Sequence, residues 1–497
     1  MFNRRQLFGF LGGPVFFAVC LLLPAPEGMT REAWRTAAVT LLMAVWWITE
    51  AIPIPATSLL PIALFPTLSI MNAATACAPY ANHLIFLFLG GFFIAISMER
   101  WNLHKRIALQ TIRIVGTSPS RIVLGFMLAA AFLSMWISNT ATAMMMMPIG
   151  LAVIHQVTDF LKESQSAIDT APTKFRFGIA LMLSIAYGSS IGGVGTIIGT
   201  PPNTILVGYL EKYYGIQISF FSWMLFAVPL SSVMLVLAWL YIVKIALPPE
   251  IRELPGGKLL ITNEIKKLGP VSMPEKSIMF VFGCVALVWI LRGFIQIGSQ
   301  MMHDATVAII GALILFLIPV NLKKGQFILD WSSAVKAPWD VLLLFGGGLA
   351  LADAFNSTGL AKWIGDQLTF LQHAPMLAVI GTITLITIFL TEVTSNTAIA
   401  AMMIPVSASL ATAAGIHPFG PIIGCCLAAS YAFMLPVATP PNAIVFGTRY
   451  LTIPVMARIG FFMNILGTIL IVIFILLFLP YVWDIDLSKF PEFLLKK

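Results

Sequence analysis

Ser134-Met-Trp-Ile-Ser-Asn-Thr-Ala-Thr-Ala-Met-Met-Met-Met-Pro148 recurs in degenerate form as Thr391-Glu-Val-Thr-Ser-Asn-Thr-Ala-Ile-Ala-Ala-Met-Met-Ile-Pro405, its Ser-Asn-Thr core displaced by 257 positions. Each copy sets an oxygen-rich triplet inside apolar sequence and follows it with methionines and a proline. Polar side chains held in hydrocarbon or a bundle interior must find partners or serve a ligand. Two of them, in corresponding halves of one chain, point to a shared site.

The surroundings are membrane sequence. Of 497 residues 59% are hydrophobic and only 10% charged, and mean hydropathy is +0.93. A soluble domain carries about a quarter charged residues, so the expected fold is an all-α polytopic membrane protein. The 37 Gly and 31 Pro suit interrupted transmembrane helices. The net charge of +8 falls at helix ends as a topology signal, which argues against nucleic acid as a partner. Cysteines 20, 77, 284, 425 and 426 show no metal or disulfide spacing, and Cys425-Cys426 reads as helix packing. The six His are scattered along the chain, so no His-based metal centre is suggested. No His/Cys/Asp/Glu constellation or nucleophile motif supports an enzyme.

Ile122 to Thr158 is free of charge for 37 positions. One crossing needs about 20 residues; two full crossings would strand the Ser-Asn-Thr turn at the far surface. A re-entrant hairpin over about 122–152, with its tip near the midplane, explains both length and polarity. Arg106 and Arg121 before it, and Lys162, Lys174 and Arg176 after it, place both of its ends in the cytoplasm. The next charge-free run, 177–210, holds five Gly between 188 and 199 and then Pro201-Pro202-Asn203. It reads as a helix broken in mid-membrane, its carbonyls facing a cavity.

Working outward, residues 1–28 form a retained N-terminal span rather than a cleaved leader. Apolar segments 34–48 and 51–68 follow, then a mixed interfacial stretch at 69–82. The Gly90-Gly91 span 83–98 ends in a basic cluster at 99–106. Repeat one covers 29–245 and closes with a span near 221–245. A cytoplasmic linker, 246–276, holds Arg252, Lys258, Lys266, Lys267 and Lys276. Repeat two covers 277–482: spans 277–292 and 304–320, the Gly346-Gly347-Gly348 span, a hairpin at about 374–406, a broken helix at about 418–447 and a closing span at 455–480. Ala438-Thr-Pro-Pro-Asn442 echoes Gly199-Thr-Pro-Pro-Asn203. An odd number of spans separates the two Gly-Gly spans, so the repeats are inverted and the second hairpin opens from outside. About 11 spans put the N-terminus inside and the C-terminal tail, 483–497, outside. Lys489, Lys496 and Lys497 oppose that orientation, and Asp484, Asp486 and Glu492 offset them.

Tips and breaks together offer hydroxyls, amides, carbonyls and helix N-termini. Neutral oxygens suit Na⁺, and helix N-termini suit a carboxylate without Arg. Cations beside an anion also relieve the cost of carrying charge through low dielectric. Cation-coupled anion transport follows. A single Ser-Asn-Thr in a membrane helix would read as a packing contact; two copies beside matched breaks favour a site. Met144–Met147 read as core filling rather than a soft-metal path. Glu392 reads as a supporting carboxylate in preference to a proton-coupling group, and Asp340 and Asp353 as interface or packing charges.

Trp101-Asn-Leu-His-Lys-Arg-Ile-Ala-Leu109, Phe132-Leu-Ser-Met-Trp-Ile-Ser-Asn-Thr-Ala-Thr142 and the two Pro-Pro-Asn breaks resemble the divalent anion/sodium symporter family over about residues 30–480. The resemblance implies a homodimer in a plasma membrane, that of the bacterial inner membrane, whose protomers move a transport domain as an elevator against a scaffold. It implies one sodium site of Ser134, Ser138, Asn139 and backbone at Gly199, and a second of Thr391, Thr394, Asn396 and backbone at Ala438. Substrate carboxylates would meet Ser138, Asn139, Thr140, Ser395, Asn396 and Thr397, with Thr200-Pro201 and Thr439-Pro440 closing the pocket. The implied activity is sodium-coupled symport of C4-dicarboxylates such as succinate, malate or fumarate. The alternative is a sodium-independent dicarboxylate, citrate/succinate or tartrate/succinate exchanger; Na⁺ is the expected coupling ion, with no organic cofactor.

Overall fold

The computed structural model describes residues 4–116, 118–165, 167–251, 257–294, 303–367 and 374–487. The tail charges Lys489, Glu492, Lys496 and Lys497, and Arg252 of the linker, lie outside the described residues. Eight described helices are long and apolar enough to cross a membrane, and five shorter apolar helices accompany them. One small antiparallel ladder, Pro319–Asn321 with Gln326–Phe327, brackets Lys323-Lys324. The protein is an all-α polytopic membrane protein.

Both Ser-Asn-Thr motifs sit at the tips of helical hairpins. The first has arms Pro119–Ser134 and Asn139–Glu163, the second Met376–Leu390 and Asn396–Ala413. Each tip is short because a serine ends it: Ser138 and Ser395 occupy the N-cap positions of the returning arms, where a small polar residue is favoured. The broken helices are Arg176–Gly193 with Pro201–Tyr214, and Phe419–Ser430 with Pro440–Phe446. Proline lacks the N–H that a helix interior requires, but is suited to a first turn. Each Pro-Pro pair therefore restarts a helix after an unwound segment.

The halves exchange partners. The returning arm of the first hairpin packs on Pro440–Phe446, and that of the second packs on Pro201–Tyr214. The Gly-Gly helix His83–Arg100 packs on Asp304–Leu317, while Trp339–Ser357 packs on Ile54–Thr57 and Ala78–Ala81. Such crossing is what inverted repeats about an in-plane two-fold axis produce. Glycine permits the closest approaches: a methyl on Gly90 would lie 2.7 Å from the Ala308 backbone, and one on Gly347 2.5 Å from the Ser58 carbonyl oxygen. Tyr80, in the stretch expected to be interfacial, instead anchors inward, its hydroxyl donating to the Ser58 carbonyl at 2.5 Å.

Gly188 and Gly192 seat the first broken helix on the entry arm of the first hairpin. A methyl on Gly192 would lie 2.2 Å from the Ala131 carbonyl oxygen, and backbone cannot yield as a side chain can. Gly192→Ala is expected to cost about 1–3 kcal/mol of stability through overpacking. Gly283, whose added methyl would meet open space, is the control. Thermal unfolding in detergent should separate the two, with the first lowered and Gly283→Ala unchanged.

One end of the molecule gathers the linker contacts: Arg106 with Glu275 at 2.6 Å, Lys105 with Glu264 at 3.4 Å and Arg100 with Asp330 at 2.6 Å. The Ser332 hydroxyl first, then the Ser333 amide and Arg100, hold the Asp330 carboxyl down at about 2. Because that value lies below the ordinary 3.8, the Arg100 pair is intact above about pH 4 and lost as pH falls toward 2. The other end gathers Trp363 Nε1 on the Glu27 carbonyl at 3.0 Å, Thr30 on the Thr358 carbonyl at 3.0 Å and Trp483 Nε1 on the Ser222 carbonyl at 3.2 Å. The first hairpin opens at the linker end, where Trp239 Nε1 holds the Ser120 carbonyl at 2.9 Å. The second opens at the opposite end, where Phe419 meets Tyr214 and Trp483.

One expectation changes. Met146 is fully buried, but Met144 is 56% exposed, because four consecutive residues cover every face of a helix; the run is only partly core filling. The second repeat is also tighter after its tip. Asn396 follows Asn139 by 257 positions, whereas Asn442 follows Asn203 by 239, so the returning arm and loop between tip and break lose 18 residues.

Candidate functional site

At the first tip, Asn139 is the pivot. It opens the returning arm, and its carboxamide pairs with the Ser134 hydroxyl at the end of the entry arm. The surrounding donors and acceptors assign its nitrogen to that side, where it also reaches the Gly199 and Ser189 carbonyls, each at 3.3 Å. The first tip and the first break thus meet through one side chain. Gly193 makes room for it, since a methyl there would lie 2.5 Å from the Asn139 carboxamide. Thr196 locks the other flank by donating to the Met135 carbonyl at 2.5 Å. Ser138 caps the returning arm, accepting from the Ala141 amide at 3.2 Å.

The second tip repeats this with a threonine. Thr391 Oγ1 donates toward Asn396 Oδ1 at 2.7 Å and the Ala429 carbonyl at 2.9 Å, so tip and break again touch. Thr394 turns back on its own arm, to the Leu390 carbonyl at 3.3 Å. Thr439 caps the restarted helix, accepting from the Asn442 amide at 3.3 Å.

The two breaks lie against each other. Thr200 Oγ1 is 3.5 Å from Ser430 Oγ, Tyr187 donates to the Phe433 carbonyl at 2.8 Å, and Cys426 Sγ lies 3.7 Å from Asn203 Oδ1. Of the expected site residues, Ser134, Asn139 and Gly199 meet in one cluster, and Thr391 and Asn396 in a second. Ser138 and Thr439 serve as caps, while Ala438 bonds only within its own turn, to the Leu435 carbonyl at 3.2 Å. Thr140, Ser395 and Thr397 stand at the starts of the returning arms, and Pro201 and Pro440 at the starts of the restarted helices. A cavity of about 710 Å³ opens at the linker end, lined by Gln6, Glu50, Pro53, Ile54 and Asp340 among others; no expected ligand lines it. Beside it, Arg5 donates to the Val393 carbonyl of the second tip at 2.7 Å.

Three residues that shape the site were not among the expected ligands. Asn203 donates to the Thr196 carbonyl at 2.7 Å and the Val194 carbonyl at 3.1 Å. Asn442 donates to the Ala432 carbonyl at 3.1 Å and the Leu435 carbonyl at 3.0 Å. Each Pro-Pro-Asn asparagine thereby ties the carbonyls of the unwound segment before it, and the doubled motif was the signal for that role. Glu392 is the third. Its Oε1 accepts from the Phe433 and Met434 amides at 2.7 and 2.9 Å and from Asn464 Nδ2 at 2.8 Å, and its Oε2 from the Leu435 amide at 3.0 Å. The first break turns on glycines, with the Gly195 amide bonded to the Gly192 carbonyl at 2.8 Å. The second has no glycine between 431 and 439, and a buried carboxylate gathers its free amides instead. Asp353 is a packing charge, taking Lys212 and Tyr213 at 2.5 Å each.

The chain resembles characterised proteins over its whole length. It is 45% identical to a sodium-dependent dicarboxylate transporter, SdcS, of Staphylococcus saprophyticus, across 98% of this chain and 94% of that one. It is 44% identical to the SdcS of Staphylococcus aureus over the same shares. Among solved structures, the YdaH transporter of Alcanivorax borkumensis aligns with 96% of this chain and 97% of its own at a TM-score of 0.56 and 11% identity. MtrF of Neisseria gonorrhoeae aligns with 93% and 98% at 0.53 and 11%; these two likenesses concern the fold alone. Residues 7–484 match the family described as the sodium:sulfate symporter transmembrane region. The doubled tips, the doubled breaks and this match together make the chain a member of the sodium:sulfate symporter transmembrane region family, a family of transporters rather than enzymes.

Proposed function

We propose that this protein couples Na⁺ entry to uptake of a C4-dicarboxylate, such as succinate, malate or fumarate, by elevator-type alternating access. The observation that carries the reading is the repeated junction of tip and break: Ser134, Asn139 and the Gly199 carbonyl in one repeat, Thr391, Asn396 and the Ala429 carbonyl in the other. The Ser134 and Thr391 hydroxyls, Asn396 Oδ1 and the two break carbonyls are neutral oxygens of the kind a hard cation takes. The relatives' names support sodium and a dicarboxylate as the partners.

Ser134, Ser138, Asn139 and backbone at Gly199 would hold one Na⁺, and Thr391, Thr394, Asn396 and backbone at Ala438 a second. Ser138-Asn139-Thr140 and Ser395-Asn396-Thr397 would meet the two carboxylates, with Thr200-Pro201 and Thr439-Pro440 as pocket walls. Helix N-termini at both tips favour an anion there. The hairpins, broken helices and their closing spans form the moving unit in this reading, and the Gly-Gly helices with their packed partners the fixed wall. The linker end faces the cytoplasm of a bacterial inner membrane, with the C-terminal tail outside. Homodimeric assembly belongs to the same proposal on the strength of the resemblance. A detergent-corrected mass near twice 54.1 kDa supports it, and a mass near 54.1 kDa contradicts it.

Ligand-dependent unfolding tests the binding step. Na⁺ should raise the melting temperature of the purified protein where K⁺ does not, and succinate should raise it further only with Na⁺ present. Stabilisation follows RT ln(1 + [L]/Kd), about 2.7 kcal/mol at a hundredfold excess over Kd. Succinate stabilisation that is equal in Na⁺ and K⁺ would favour the sodium-independent exchanger.

A further inference from the structure

The scattered histidines do not stay scattered. His83 begins the first Gly-Gly helix, Glu211 lies near the end of Pro201–Tyr214, and His303 immediately precedes Asp304–Leu317. One ligand atom from each falls within 4.8 Å of the other two. His83 Nε2 is 3.1 Å from Glu211 Oε2, and His303 Nε2 is 4.0 Å from Glu211 Oε1. The imidazoles meet edge-on, their centroids 4.1 Å apart at 71°. His303 Nδ1 is buried and makes no hydrogen bond.

The backbone around the cluster is held in place. Asn82 caps the helix at His83, accepting from the Leu84 amide at 2.9 Å. Asp304, next to His303, takes Arg292 and the Phe220 amide, and its carbonyl accepts Trp289 Nε1 at 3.1 Å. Gln217 donates to Glu211 Oε1 at 3.0 Å. The side chains of His83, Glu211 and His303 are 38, 20 and 30% exposed, while the His83 Nε2 atom itself is buried against the cluster. Lys212, the nearest basic residue in sequence, points away to Asp353.

We propose that His83, Glu211 and His303 form a binding site for a zinc-class divalent cation that clamps the transporter. Two imidazole nitrogens and a carboxylate oxygen, completed by water, are a usual tetrahedral zinc set. Zinc bonds of about 2.0–2.2 Å put neighbouring ligand atoms roughly 3.3 Å apart. The His83–Glu211 spacing of 3.1 Å already matches, and His303 Nε2, 4.0 Å from the other Glu211 oxygen, closes the set by a side-chain adjustment. Glu211 rides on the arm that carries the first break, whereas His83 and His303 stand on two helices packed on each other. An ion across them ties the moving unit to the wall. The clamp rests on the elevator reading; the binding does not.

The full-length protein, tag removed and freed of metal, is titrated with cobalt chloride. Tetrahedral d–d absorption that zinc chloride displaces is expected, and His83→Ala, His303→Ala and Glu211→Gln should each weaken it at least about tenfold. In proteoliposomes, external zinc chloride should cut succinate uptake at least about fivefold, a chelator should restore it, and His303→Ala should ignore zinc. Absorption that is missing, or unchanged in His83→Ala/His303→Ala, overturns the site. Binding lost in the variants while wild-type uptake ignores zinc overturns the clamp. A preparation with no uptake in any condition counts against the transport reading alone, since the cobalt titration still decides the site.

Discussion

Asn139→Ala and Asn396→Ala are each expected to reduce Na⁺-driven succinate uptake at least about tenfold while both proteins still fold. Each asparagine opens a returning arm and faces the hydroxyl that ends the entry arm, so its removal opens the junction of tip and break. The two should differ in stability. Asn139 serves Ser134 and the Gly199 and Ser189 carbonyls, and stranding buried polar groups costs about 1–3 kcal/mol each. Asn396 accepts from Thr391, which keeps the Ala429 carbonyl as a partner. Asn139→Ala should therefore melt at a lower temperature than Asn396→Ala, although both lose uptake. Thermal unfolding and labelled-succinate uptake, measured on the same preparations, check this. If both variants fold and transport normally, the paired tips are not the site.

Glu392→Gln is the second large effect. The wild-type side chain presents two acceptor oxygens to three consecutive amides and to Asn464. A carboxamide of the same shape keeps one acceptor and turns an NH₂ toward N–H donors. With Oε1 retained, the Leu435 amide loses its partner and faces a second donor. The expected loss is about 2–4 kcal/mol, above the usual 1–3 for a neutral buried group because the acceptor is a carboxylate. Asn464→Ala removes one donor of the four and should cost about 1 kcal/mol. A double-mutant cycle should show strong coupling between them. Uptake separates the roles: as a support for the break, Glu392→Gln lowers rate and stability but keeps the shape of the pH profile. A pH profile flattened in Glu392→Gln at unchanged stability would make Glu392 the proton-coupling group instead.

What the sequence disclosed follows from its doubling. Ser138-Asn139-Thr140 and Ser395-Asn396-Thr397 are polar in apolar runs too long for one crossing and awkward for two, which left hairpins as the economical reading. Pro201-Pro202 and Pro440-Pro441 cannot continue a helix, so the breaks were visible as well. The ties inside the breaks were not, because Asn203 and Asn442 act on carbonyls whose orientation only the unwound backbone determines. Glu392 drew attention as a charge in an apolar run, but its partners lie 41 to 72 positions away. The approach of His83, Glu211 and His303 depends on three helix ends arriving together, and no local spacing records that.

The most direct test of the whole account uses proteoliposomes containing the purified protein and external labelled succinate. An inward Na⁺ gradient is compared with an equal K⁺ gradient, with and without unlabelled succinate inside. Concentrative uptake is expected with Na⁺ and empty vesicles, and none with K⁺. Uptake that is the same in Na⁺ and K⁺ and requires internal dicarboxylate would contradict it, and would make the protein an exchanger.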